Sequence, residues 1–161
     1  MSGFIILINL KLIIIPLLML IKALESVNIT EFKVPEIVNH GSDAELSCKY
    51  NLTRGEVLYT IKWYKEENEF YRYEPKEKRQ VLYFPVPGIN IDRERSNYTR
   101  IVLREVNNQT SGTFVCEVSV DISFITAMSE AMMLIKSNSI GFLPSWSILI
   151  VTILLSSFIS S

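Results

Sequence analysis

Between Val27 and Lys136 the apolar residues alternate with polar ones instead of recurring at helical spacing, the signature of half-buried β-strands. "AELSCKY" places Ala44, Leu46, Cys48 and Tyr50 on one face, and "YTIKWYK" places Tyr59, Ile61 and Trp63 on one face with Thr60, Lys62 and Tyr64 opposite. "RIVLREV" supplies Ile101 and Leu103, and "GTFVCEVSV" supplies Phe114, Cys116 and Val118. Turn-rich segments ("NHGSD", "LTRGE", "KEEN", "FPVPG" and "NNQTSG") separate these runs. About eight short strands broken at such intervals predict an all-β, two-sheet sandwich.

The ends of the chain follow a different rule. Residues 4–21 are apolar except for Asn9 and Lys11, and residues 141–161 contain no charge. The first run reads as a signal peptide over 1–23, ending between 23 and 26, because Lys11 and Pro16 interrupt what would otherwise be a spanning helix. The second closes the sequence with no basic residue after it, whereas a transmembrane anchor keeps Lys or Arg on its cytoplasmic side. Small residues precede it at Ser137, Asn138 and Ser139, so 137–161 is expected to be a GPI-attachment signal with Ser137 as lipid-anchor site, or else a membrane anchor. The domain proper is then 27–136, exposed on the extracellular face of the plasma membrane or secreted.

Charge and cysteine usage agree with export. Without Lys11 and Lys22, residues 24–140 carry 14 basic and 17 acidic groups, a net of −3, which is no footprint for nucleic acid. Four N-x-Thr sequons, at Asn28, Asn51, Asn97 and Asn108, are candidate glycosylation sites. In an oxidising compartment Cys48 and Cys116 are expected to pair. His40 is the only histidine and sits in a turn, and with both cysteines committed a zinc site lacks ligands. Asp92, Arg93, Glu94 and Arg95 read as a solvated loop, and no loop has calcium-ligand spacing. The reading is therefore no enzyme, no metal or cofactor and no small-molecule substrate.

Spacing then sharpens the fold. Trp63 follows Cys48 by 15 residues and Cys116 follows it by 68, with Phe114, Gly112, Val106, Leu103 and Ile101 placed before Cys116 as in strands E and F of an immunoglobulin domain. The expected core is the disulfide with Trp63, Phe114 and Leu103. The long gap between the cysteines leaves room for a C′ strand, so the set is variable-like or intermediate. Phe114 replaces the corner tyrosine and Thr110 stands where Asp is common, which predicts a less pinned E–F corner.

The segment "TIKWYKEENEFYRYEP" has five aromatic and seven charged residues among its sixteen. With Ile61 and Trp63 inward, Lys62 and Tyr64 point out of the C–C′–F–G sheet, and "EFYRY" forms the neighbouring edge strand, whose register the pattern leaves open. Tyr and Arg are favoured at interfaces because they bury large area while satisfying a polar end. Lys62, Tyr64, Tyr71, Arg72, Tyr73 and Glu117 are the predicted partner-binding residues.

"IKWYKEENEFYRYEP", "FPVPGINID", "CEVSVDISFIT" and "SEAMMLI" resemble the first immunoglobulin domain of the Beaten path family over residues 34–135. The resemblance implies an insect nervous-system protein of the cell surface that binds Sidestep-family immunoglobulin proteins in heterophilic adhesion and axon guidance. Family members often carry a second immunoglobulin-like domain and a cysteine-rich tail, which this sequence does not show. A secreted immune or decoy module and a homophilic adhesion protein are the alternatives.

Overall fold

The computed structural model describes residues 27–137. The segment expected to be a signal peptide and the expected tail beyond Ser137 lie outside them. The described strands are β1 (Val27–Lys33), β2 (Ile37–Asn39), β3 (Ala44–Leu52), β4 (Leu58–Lys65), β5 (Asn68–Tyr73), β6 (Val81–Tyr83), β7 (Arg100–Leu103), β8 (Gly112–Val120) and β9 (Thr126–Lys136). They form two sheets, one ordered β1-β3-β7 and the other β2-β9-β8-β4-β5-β6. All pairings are antiparallel except β2 with β9, where the chain leaves β1 and crosses to the larger sheet. Segment 90–92 guards the free side of β7 through an isolated Ile91–Leu103 bridge and the bonds Asp92 N to Val102 O and Arg104 N to Asn90 O. This is an immunoglobulin-like sandwich with the additional C′ and C″ strands of the variable type.

Alternation becomes burial most cleanly on β8, where Gly112, Phe114, Cys116, Val118 and Val120 are buried and the residues between them are partly exposed. Cys48 of the small sheet and Cys116 of the large sheet are joined across the core by a disulfide. Trp63 lies in the same layer, fully buried and stacked on Phe32 at 5.9 Å between ring centroids. Phe114 and Leu103 are fully buried as well. Each such side chain contributes about 1.5–3 kcal/mol through removal of apolar surface from water.

The corner before β8 is better pinned than the sequence predicts. Thr110 is fully buried, donates its hydroxyl to Gly88 O at 2.6 Å and accepts the Asn107 N–H at 3.0 Å. Asn107 in turn accepts from Gln109 N, capping the short 3-10 helix Asn108–Thr110. A threonine hydroxyl thus takes over the pinning that the absent tyrosine would have supplied. The expected "FPVPG" turn is its counterpart: Ile89 N bonds Val86 O, and Gly88, at φ 78°, lies so close to Gln109 that a Cβ would meet its carbonyl carbon at 2.4 Å.

The register of β5 corrects another expectation. Lys62 opposes Arg72 and Trp63 opposes Tyr71, but the next pair is Tyr64 with Glu69, so Phe70 is an extra residue at a bulge. Phe70 and Tyr71, although consecutive, are therefore both buried. Phe70 packs edge-on against Phe114, and Tyr71 edge-on against Tyr83. Tyr71, expected at the contact face, is only 1% exposed.

Candidate functional site

The outer face of the large sheet is built around one cross-strand row: Leu82 on β6, Arg72 on β5, Lys62 on β4, Glu117 on β8 and Met128 on β9. Directly opposed side chains on one sheet face are close enough to interact. Lys62 Nζ donates to Glu117 Oε1 at 3.0 Å, and the Tyr64 hydroxyl donates to Glu117 Oε2 at 3.2 Å, so both carboxylate oxygens are engaged. Burial pulls the Lys62 pKa down, but Glu117 and Tyr64 outweigh it and the net shift is upward. Burial, then the Glu117 charge, raises the pKa of Tyr64. With both shifts upward, Lys62 stays an ammonium and Tyr64 a phenol at neutral pH, each donating to Glu117.

Arg72 is held more tightly still. Its Nε and terminal nitrogen donate to the two oxygens of Glu69 at 2.6 and 2.8 Å, Glu74 lies 3.5 Å away on the other side, and the guanidinium sits over Phe84 at 5.6 Å from the ring centroid. The Glu69 hydrogen bonds are the main reason that its pKa is raised. Residues three apart on a regular strand face opposite ways; the Phe70 bulge brings Glu69 and Arg72 to the same side. Planar two-point bonding adds geometric specificity to the charge.

Four of the six predicted contact residues, Lys62, Tyr64, Arg72 and Glu117, are thus brought together. Tyr71 is not among them, and neither is Tyr73, which opposes inward-facing Ile61 and stacks on Tyr98 at 5.1 Å along the rim. Glu69, Glu74 and Phe84, which hold Arg72, were not singled out in the sequence. The one signal for them was the density of acids around Arg72, and the bulge that makes these groups converge leaves no mark in the alternation.

The sequons lie elsewhere. All four asparagines are exposed. Asn28 and Asn51 are direct cross-strand partners on β1 and β3, on the outer face of the small sheet. Asn97 precedes β7, beside Thr99 of the same turn and the small-sheet residues Ser47 and Arg100. Its Oδ1 accepts from Thr99 N, Thr99 Oγ1 and Arg100 N at 2.9–3.0 Å, and all three contacts are to the oxygen, not to the nitrogen that a glycan would modify. Asn108 begins the 3-10 helix at the corner. No sequon lies on β4, β5, β8 or β9.

The remaining candidates for chemistry are accounted for structurally. His40 is exposed in the turn after β2, with its main-chain N–H bonded to Lys136 O. The 92–95 loop is tied down rather than free: Arg95 bridges Asp92 at 2.7 Å and Asp43 at 2.5 Å, and Arg93 lies 4.5 Å above Tyr83. Among the described residues no group of His, Cys, Asp or Glu could hold a metal ion, and no helix is long and apolar enough to cross a membrane.

No protein-family model matches the chain, and no curated protein matches it. Solved structures with similar shape include a marsupial T cell receptor, at 14% identity and TM-score 0.49, covering 68% of this chain and 53% of that one. The V domain of amphioxus IgVJ-C2 is similar at 12% identity and TM-score 0.47, covering 62% of this chain and 97% of that one, and murine CRIg at 12% identity and TM-score 0.45, covering 68% and 98%. Similarities this distant carry nothing about activity. Sheet order, the cross-sheet disulfide and Trp63 between the layers make the described domain immunoglobulin-like, an architecture widely used by cell-surface recognition modules.

Proposed function

We propose that this chain is a glycosylated cell-surface recognition protein that docks another immunoglobulin-superfamily protein on the outer face of its large sheet. The Beaten path resemblance implies a Sidestep-type partner and a role in heterophilic adhesion and axon guidance. The observation that carries the reading is the ordered row Arg72–Lys62–Glu117 with Tyr64, on a face that bears no sequon while the small sheet and the corner bear four. Side chains already fixed by one another lose little conformational freedom when a partner covers them, which favours affinity. The tail, with Ser137 as the attachment site, would tether the domain to the outer leaflet.

The test displays the full chain on cells and measures binding of Sidestep-type extracellular regions. Lys62→Glu, Arg72→Glu and Tyr64→Ala should each weaken binding by more than about 1 kcal/mol, roughly fivefold, without loss of surface expression. Glu45→Lys and Lys49→Glu, on the small sheet, should bind normally. Normal binding by the first set with loss in the second would place the interface on the small sheet and overturn the assignment. Release of the protein from cells by a phosphatidylinositol-specific phospholipase tests the anchor separately.

A further inference from the structure

β9 has a neighbouring strand on one side along most of its length and on the other side only at its end. β8 runs along one side from Thr126 to Met133, whereas β2 covers the other side only at Leu134–Lys136. Leu134 N–H donates toward β2, to Glu36 O, and Ile135 N–H donates to Ser111 Oγ on the β8 side. Even-numbered residues of this strand therefore turn their main-chain groups away from β8. Those of Met128, Glu130 and Met132 point off the edge of the sheet, and no described strand pairs with them.

Unpaired edges recruit further strands unless something guards them. β6 is only three residues long, β7 is guarded by segment 90–92, and β1 carries a bulge, a terminal lysine and the Asn28 sequon. From Thr126 to Met133, β9 has no proline, no lysine and no break in register, and Glu130 is its one charge. Of its core-side residues here, Ala127, Ser129 and Ala131 are too small to obstruct an approaching strand, and Met133 is fully buried in the core. Exposed apolar side chains line the same edge: Met128, Met132 and Leu134, then Ile37 opposite Leu134, and Ile122 and Phe124 at the β8–β9 hairpin tip. Phe124 is 84% exposed at φ 56°, an unfavourable backbone conformation for a bulky side chain.

We propose that this edge pairs with the same edge of a second copy, antiparallel about a two-fold axis at Ser129, fusing two large sheets into one. An isologous contact requires a patch complementary to itself, and this register provides one. It sets Ala127 against Ala131, Thr126 against Met132, and Met128 against Glu130 of the second copy. It also brings the Phe124 tip of one copy level with Leu134 and Ile37 of the other, where all three are exposed. An axis at Glu130 would oppose two carboxylates, and an axis at Met128 would shorten the shared ladder.

The test is cross-linking of the full chain. Ser129→Cys places a thiol at a non-hydrogen-bonded pair on the axis, where Cα atoms lie about 4.5 Å apart, within reach of a disulfide. Cys48 and Cys116, the only cysteines of the sequence, are bonded to each other, so this thiol is the only free one. Under a mild oxidant Ser129→Cys should run as a dimer on a non-reducing gel, while Met128→Cys and Glu130→Cys stay monomeric although their side chains are more exposed. Adding Glu130→Pro, which removes an outward N–H and no bond within the domain, should abolish the Ser129→Cys dimer. On the Ser129→Cys background, Met128→Lys should raise dimer yield about fivefold and Met128→Glu lower it about fivefold, from the charge opposite Glu130. The proposal is overturned if Ser129→Cys stays monomeric with a reactive thiol, if Met128→Cys cross-links as readily, or if Met128→Lys and Met128→Glu shift the yield the same way. The readout needs no second protein, so it stands apart from whether Lys62 and Arg72 bind a heterologous partner.

Discussion

Lys62 and Glu117 are direct cross-strand partners on β4 and β8, their charged groups meeting at 3.0 Å with side chains only 23% and 16% exposed. This pair ties the two central strands of the candidate face together, and Tyr64 closes the trio from the next outward position on β4. Partly desolvated pairs of this kind are worth more than surface ones but are offset by the cost of removing both charges from water. A double-mutant cycle of Lys62→Met and Glu117→Gln should give a coupling of about 1 kcal/mol by chemical denaturation, reduced in high salt. A coupling of zero would mean that the row is held by the sheet alone.

The disulfide closes a loop of 68 residues, and its removal should be expensive. Cys48→Ala with Cys116→Ala is expected to cost roughly 2–5 kcal/mol in unfolding free energy and to lower the yield of folded protein sharply. Trp63 fluorescence reports the outcome, since the indole is fully buried in the disulfide layer and would shift to longer wavelength on loosening.

The Thr110–Gly88 contact yields a paired prediction. Thr110→Val keeps the shape but leaves the Gly88 carbonyl and the Asn107 N–H without their partner, at a cost of about 1–3 kcal/mol. Gly88→Ala should be worse than Thr110→Val, because its Cβ would collide with backbone and the φ of 78° is strained for alanine. Thermal unfolding of both variants checks the order.

Tyr71 offers a pH test. Its hydroxyl is buried without a hydrogen-bond partner, and burial raises its pKa well above the ordinary 10.0. On raising the pH through 10 the unfolded chain loses this proton first, so stability falls as the pH climbs from the ordinary toward the folded value. Tyr64 and Lys62, also shifted upward, act in the same direction. Tyr71→Phe should match or exceed the parent by up to about 1 kcal/mol at pH 7 and show a flatter decline of melting temperature between pH 9 and about 11. An unchanged alkaline slope would show that Tyr71 does not contribute to it.

The alternating pattern, the Cys48–Trp63–Cys116 spacing and the turn residues were enough to anticipate two sheets, a cross-sheet disulfide and a core of Trp63, Phe114 and Leu103. Each of those residues sits on a strand whose own side-chain period decides which way it faces. From the same local rule, Lys62, Tyr64 and Glu117 followed as outward residues. Which way "EFYRY" faces is set by its neighbour: one extra residue against β4 sends Phe70 and Tyr71 inward together and turns Glu69, Arg72 and Glu74 outward as a clamp. The Thr110 pin, the opposition of Asn28 and Asn51 and the open edge of β9 likewise join positions that only strand pairing brings side by side. Local chemistry determines the face of a residue within a regular strand; the pairing partner determines register, bulges and edges, because those depend on hydrogen bonds between segments far apart in the chain.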